Sequence, residues 1–319
     1  MENFLENEFV KAVFSDRAEL LELINRQTGT SFIQPHGLWR MIVREKDNLE
    51  VEVLPESAIP EMEVSGNELS IRYSELATES KHPLKIELEI HGCLHGNVID
   101  WNLRIANHTK DIQIREMMFP ILHLSSAMEN MPLYHSRLGG EVISSIREKI
   151  LSSTMSYKGM DELYRRYCSR YPFPLATNCL TFNSGSEGIY LGSHDDSFQD
   201  TLHVFELEKK NHLNALLVKY PFLSPGESTE IRGYAISLYQ GPWQRAADQY
   251  RAWAETWFHH EPPPEHVRRM RGWQRIIART QYGENLYPYR TFPGILEDGK
   301  KAGIDTLFLF GWHRGGHDC

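Results

Sequence analysis

The densest group of chemically capable side chains lies in Gly311-Trp-His-Arg-Gly-Gly-His-Asp318, with a second group upstream in Gln281-Tyr-Gly-Glu284. Trp312 offers an aromatic face on which the C–H face of a sugar ring can stack. Asp318 can accept two hydrogen bonds from vicinal hydroxyls, and His313 and Glu284 add further donors and acceptors. The simpler reading of Gly315-Gly316 is a plain turn capped by Asp318. Two carboxylates about 5–10 Å apart can cleave a glycosidic bond, and Glu284 and Asp318 are the nearest approach to such a pair. Glu284 is more simply a loop residue, so no catalytic residue is assigned.

Other clusters reduce to simpler readings. His313 and His317 have the i, i+4 spacing that serves a metal on a helix, but here it spans a Gly-Gly loop, and no metal site is expected. His194-Asp195-Asp196 reads as a turn whose aspartates bind backbone. His91, His95 and His203 are candidate acid–base groups for a sugar epimerase, without a local motif to select one. The sequence carries no cofactor-binding motif, and none is expected.

Composition narrows the function classes. The 319 residues carry 34 basic and 43 acidic side chains, a net charge of −9. A nucleic-acid binder needs a basic face to neutralise phosphates, and the one basic run, His266-Val-Arg-Arg-Met-Arg271, reads as a solvated linker face. Cys93, Cys168, Cys179 and Cys319 show no C-x-x-C spacing, so buried reduced thiols are expected. The opening residues lack the basic and apolar regions of a signal peptide, and no apolar run is long enough to span a bilayer. The expectation is a cytoplasmic protein without a membrane or nucleic-acid partner.

The elements that would position these residues follow from periodicity. From about residue 20 to 240 apolar residues recur every second position. Leu84, Ile86, Leu88 and Ile90 alternate with polar residues, as do Ile99, Trp101, Leu103 and Ile105 after a Gly96-Asn97 turn. Such alternation is that of half-buried antiparallel strands. Further strands are expected at 69–73, 19–25, 39–45, 49–54, 112–123, 179–183, 187–192, 202–208, 213–220 and 234–238. Segment 155–170 reads as a short helix inside a long loop. After Gly241 the period becomes helical: Trp243, Ala246, Ala247, Tyr250, Trp253, Ala254 and Trp257 form one stripe, read as the face that glues the helix to the strands. Glu261-Pro-Pro-Pro264 stops it. Next come an apolar run at 273–279, a helix at 293–303 with Gly303 as its cap, and a continuous apolar strand at 305–312, together a βαβ unit.

The chain resembles glycoside-hydrolase-like proteins, including a bacterial family, that place a galactose-mutarotase-like supersandwich before a (β/α)8 barrel. The resemblance is carried in order by Asn25-Arg-Gln-Thr-Gly29 with Leu38-Trp-Arg-Met41, by Trp101-Asn-Leu-Arg-Ile-Ala-Asn107 with Phe119-Pro120, and by Glu187-Gly-Ile-Tyr-Leu-Gly-Ser-His-Asp195. Gly241-Pro-Trp243 with Tyr250-Arg-Ala-Trp253, and Gly311–Asp318, continue it. It implies a mainly β fold: a large antiparallel β-supersandwich over 1–241, a helical linker over 242–266, and over 267–319 the first βαβ unit of an incomplete barrel. It implies a carbohydrate partner in a complete barrel, with Trp312, His313, Asp318 and Glu284 at its substrate end. The catalytic carboxylates of such barrels usually follow middle and later strands, so the 319 residues are expected to be non-catalytic alone and to self-associate through the open barrel edge. The alternatives are a stand-alone carbohydrate-binding or scaffolding sandwich, and a mutarotase-like sugar epimerase.

Overall fold

The computed structural model of the chain describes residues 3–45, 47–78, 82–152, 165–208, 212–259 and 261–313. It divides into two units, Met1–Trp257 and Phe258–Cys319.

The first unit is an antiparallel sandwich. Its larger sheet has nine strands in the order Glu141–Ile143, Leu133–Arg137, Leu175–Asn183, Glu187–Ser193, Ser228–Gln240, Val98–Asn107, Ile86–His95, Glu68–Tyr73 and Glu61–Ser65. A six-stranded sheet runs Arg165–Tyr171, Thr201–Leu207, Leu213–Lys219, Gln113–His123, Arg40–Arg44 and Glu50–Val53. A five-stranded sheet is built from residues 3–37.

Alternation explains which faces meet. Ile86, Leu88 and Ile90 are buried while Glu87 and Glu89 between them are not. Ile99, Trp101, Leu103 and Ile105 do the same one strand over. They share one core with Met41, Val43, Met117, Phe119, Phe205, Ala215 and Leu217 from the six-stranded sheet. Trp101 sits at its centre, edge-on to Phe119 with ring centroids 5.7 Å apart. Burying each such side chain stabilises the fold by roughly 1.5–3 kcal/mol. Gly92 makes room for Trp101: a β-carbon there would stand 2.6 Å from the indole.

The sequence-derived strands appear with ends shifted by a few residues. Segment 155–170 is described only from Arg165 on, and there a strand replaces the expected helix. Residues 155–164 lie outside the described residues, Arg165–Tyr171 is a strand, and the nearby helix falls earlier, at Ile146–Ser152. Tyr167, Ser169 and Tyr171 are buried at every second position, and antiparallel pairing from Arg165↔Leu207 to Tyr171↔Thr201 overrides the weak helical pattern. The helix after Gly241 spans Gln244–Ala254. Ala246 packs with Tyr190, Ala235 and Tyr239 of the nine-stranded sheet, and Trp253 stacks on His194 at 4.8 Å and 9°. Ala246, Tyr250 and Trp253 of the stripe thus pack on the sandwich, while Trp243 stays 39% exposed.

The second unit contains the βαβ element. Trp273–Ile277 and Thr306–Phe310 pair in parallel, Trp273↔Thr306 through Ile277↔Phe310, with helix Phe292–Lys301 between them in sequence. Gly303 follows the last helical residues at φ 77°, a conformation cheap only for glycine. Phe308 is 48% exposed and Trp273 54%.

Candidate functional site

Two places gather side chains capable of chemistry, one in each unit. In the second, the loops following both parallel strands are tied together at the strands' C-terminal ends. Arg279 Nη1 donates to the His313 carbonyl at 3.0 Å, and its Nε donates to Asn285 Oδ1 at 2.9 Å. The Tyr289 hydroxyl donates to the Trp312 carbonyl. Gly311 permits this approach: a β-carbon there would meet the Arg279 carbonyl oxygen at 2.6 Å.

Of the four sequence-predicted residues, this arrangement holds three on two joined loops. Trp312 is 60% exposed, with His313 edge-on to it at 5.4 Å. Glu284 is exposed, and its backbone closes a turn: its N–H donates to Thr280 Oγ1 at 3.2 Å and its carbonyl accepts from Thr280 N–H at 2.9 Å. Tyr282, two residues earlier, is 82% exposed. Asp318 and His317 lie outside the described residues.

The other place was not foreseen in the sequence. It is the face of the six-stranded sheet turned away from the shared core. The register puts Arg166 beside Glu206, Glu206 beside Asn214 and Asn214 beside His123, one residue from each of four adjacent strands. Arg40 Nη2 donates to Glu206 Oε1, and Arg166 Nε donates to Glu206 Oε2 at 2.9 Å. Arg40 Nε also lies 3.1 Å from Glu52. Glu206 is fully buried, and the two guanidinium groups satisfy both of its oxygens.

The row ends in histidines. Asn214 Nδ2 donates to Glu208 Oε1 at 2.7 Å and to Glu206 Oε1 at 3.4 Å. Two accepting carboxylates fix that amide's orientation, so its oxygen faces His123 Nδ1, 2.8 Å away. His123 must therefore carry its proton on Nδ1, which leaves Nε2 as a base. His36 is arranged the other way. Its Nδ1 lies 2.8 Å from the Gly37 carbonyl and its Nε2 3.1 Å from Glu208, so both nitrogens donate. The two rings are stacked, 5.3 Å apart, and His212 meets His123 edge-on at 4.6 Å.

Their environments drive the protonation equilibria apart. Burial lowers the pKa of His123, and the charges of His36 and His212 act in the same direction, against the Asn214 bond. Burial also opposes a charged His36, but the hydrogen bond to Glu208, the Gly37 carbonyl and the Glu208 charge outweigh it, and its pKa is raised. Burial would raise Glu208, yet the bonds and charge from His36 and Asn214 hold it at about 2. The surroundings thus favour the charged form of His36 and the neutral form of His123.

The three histidines singled out from the sequence are not at this site. His91 and His95 belong to the nine-stranded sheet, where His95 Nε2 is 3.3 Å from Asp100. His203 is fully buried, bonded to Asn178 at 3.0 Å and to His135 at 3.2 Å, and burial holds its pKa well below the ordinary value. Asp195 behaves as the turn residue expected, accepting from Ser197 N–H at 2.9 Å and from Lys219 Nζ at 2.7 Å.

No protein-family model matches the chain, and no curated protein matches it. Solved structures do. The alpha-N-acetylgalactosaminidase NagBb from Bifidobacterium bifidum, in its GalNAc complex, superposes with a TM-score of 0.64 at 12% identity over 100% of this chain and 53% of its own. A putative aldose 1-epimerase from Escherichia coli K12 gives 0.48 at 10% identity, over 76% of this chain and 99% of its own. A galactose mutarotase-like protein from Lactobacillus casei ATCC 334 gives 0.45 at 13%, over 75% and 100%. The chain spans about half the length of NagBb. At these identities the likeness is one of fold alone, an antiparallel β-sandwich followed in sequence by a parallel strand–helix–strand unit.

Proposed function

We propose that the chain supplies the sandwich and the opening β/α unit of a glycoside-hydrolase-like, carbohydrate-active protein, with the sandwich as a non-catalytic support. The carrying observation is the joined pair of loops beyond Ile277 and Phe310, which presents Trp312, His313 and Glu284 at the C-terminal ends of parallel strands. Loops at that end are where β/α barrels bind substrate. Exposed aromatic faces at Trp312 and Tyr282 suit the C–H face of a pyranose, and Glu284, His313 and Asp318 suit its hydroxyls. The whole-length likeness of fold to a glycosidase supports the same reading.

The test has two arms. Purified chain is titrated with N-acetylgalactosamine and galactose and followed by NMR; the Trp312 indole signal is expected to shift saturably, and Trp312→Ala to abolish binding. The same chain is assayed on chromogenic α- and β-glycosides, with no turnover expected. Turnover abolished by Glu284→Gln or Asp318→Asn would overturn the non-catalytic reading.

One observation favours a second reading, sugar anomerisation on the sandwich: the donor–acceptor pair His36 and His123. Ring opening of a pyranose needs a proton removed from O1 and one delivered to the ring oxygen: His123 Nε2 takes the first, and His36 gives its Nε2 proton by exchanging its bond to Glu208 for one to the ring oxygen. Polarimetry of freshly dissolved α-D-galactose tests it. Acceleration over buffer that is lost in both His123→Asn and Glu208→Gln supports this reading, and no acceleration removes it.

A further inference from the structure

On the sandwich, the outer face of the nine-stranded sheet near its Glu141–Ile143 edge carries a cavity that neither reading uses. Helix Gln244–Ala254 and the sheet enclose about 530 Å³ there, within the range of small-molecule sites. The Trp243 indole lies nearly parallel to the Tyr134 ring at 5.4 Å and 17°, forming one wall. Tyr250 and Ala247 line the helix side, and Cys179 and Thr181 the sheet side. Gly139 and Gly140 in the lining take φ 96° and 129°, where any side chain would be strained.

The polar groups of the lining decide what can enter. The Thr181 hydroxyl donates to the Ile189 carbonyl at 2.7 Å and shares a 2.6 Å bond with the Tyr239 hydroxyl. The Cys179 thiol donates to Thr177 Oγ1 at 3.4 Å, and burial pushes its pKa up to about 11, so it stays a neutral thiol. Ser136 Oγ accepts from the Thr177 N–H at 3.0 Å and donates to the Thr177 carbonyl at 3.3 Å. These groups are engaged with the protein and turn mainly carbon and sulfur toward the space. A hydroxyl-rich sugar ring entering here would give up water without replacement bonds, whereas a flat apolar ring would lose nothing and stack on Trp243 or Tyr250. Arg251 at the rim, bonded to Asp248 by one nitrogen at 2.7 Å, keeps further N–H donors for a polar group on the ring's outer edge.

We propose that this cavity is a binding site for a single aromatic ring bearing a polar substituent, the chemical class of an aryl aglycone, separate from any sugar subsite. It does not rest on the carbohydrate reading. The experiment is an NMR titration of the full chain with p-nitrophenol, following the Trp243 indole N–H and the methyls of Ala246 and Ala247, with galactose as the control. Saturable shifts confined to these probes with p-nitrophenol, and none with galactose, are expected. Ala247→Phe, which fills the space from an exposed helix position, should weaken binding at least tenfold with an unchanged melting temperature. The proposal is overturned if p-nitrophenol leaves these signals in place, if galactose moves them instead, or if folded Ala247→Phe binds as the parent does. Should Ala247→Phe fail to fold, the parent's own shift map decides. Sugar binding lost in Trp312→Ala but kept in Ala247→Phe separates this site from the proposed function.

Discussion

The imidazoles of His36 and His123 lie parallel, 5.3 Å apart, yet their pKa values are driven in opposite directions, His36 up and His123 down. The difference comes from their partners. His36 faces the Glu208 carboxylate, and His123 faces the oxygen of an amide that two carboxylates have already oriented.

This pair makes stability depend on pH at both ends. Glu208 has its pKa depressed from 4.5 to about 2, so its contribution is complete above 4.5 and is lost as pH falls toward 2. His36 has a raised pKa, so its contribution is complete below 6.5 and is lost as pH rises through the folded value. Thermal melts of the parent between pH 2 and 9 should show both slopes, and Glu208→Gln should flatten both. A melting curve unchanged by that substitution would break the link.

Removing Glu206 leaves Arg40 and Arg166 charged and buried without their shared carboxylate. Glu206→Gln should cost about 3–5 kcal/mol in urea unfolding. Arg44→Gln, which breaks a half-exposed pair with Glu50, should cost under about 1 kcal/mol. Equal losses in the two variants would show that burial does not set the scale.

Gly92→Ala drives a methyl into the Trp101 indole. The expected cost is about 1–3 kcal/mol of overpacking. Coupling to Trp101→Phe in a double-mutant cycle checks the cause, because the smaller ring should restore part of the loss.

Trp253→Ala removes the ring stacked on His194 and should destabilise the first unit by about 3 kcal/mol. If melting is unaffected, the aromatic stripe does something other than pack.

Among the described residues, Trp273–Ile277 and Thr306–Phe310 pair only with each other, and Trp273 and Phe308 stay half-exposed. Open strand edges beside apolar side chains recruit further strands. Light scattering should find the full chain self-associated and a 1–260 chain monomeric. Proteolysis should trim beyond about residue 262 first, as expected of an exposed two-stranded sheet. A monomeric full chain with a resistant last segment would refute the exposed-edge argument.

Alternation of apolar residues was enough to determine the sandwich from the sequence: Ile86, Leu88, Ile90 and Ile99, Trp101, Leu103 state which face is buried without reference to any partner. The switch to helical spacing after Gly241 likewise announced a packing helix, and the apolar run at 305–312 a strand of another kind. The placement of Trp312, His313 and Glu284 on loops after two parallel strands was legible, because such loops are local to those strands. The histidine site was not legible. His36 lies in a two-residue strand and His123 at the end of a long one, each with nothing nearby to mark it. Glu206 and Asn214 alternate in their strands as ordinary polar residues do, and Glu208 follows a strand end. Only the register of the six-stranded sheet, with Asn214 opposite both His123 and Glu206, brings them into one hydrogen-bonded row. Strand identity is written in local periodicity, whereas cross-strand neighbours far apart in sequence are chosen by how whole sheets pair and bury their faces.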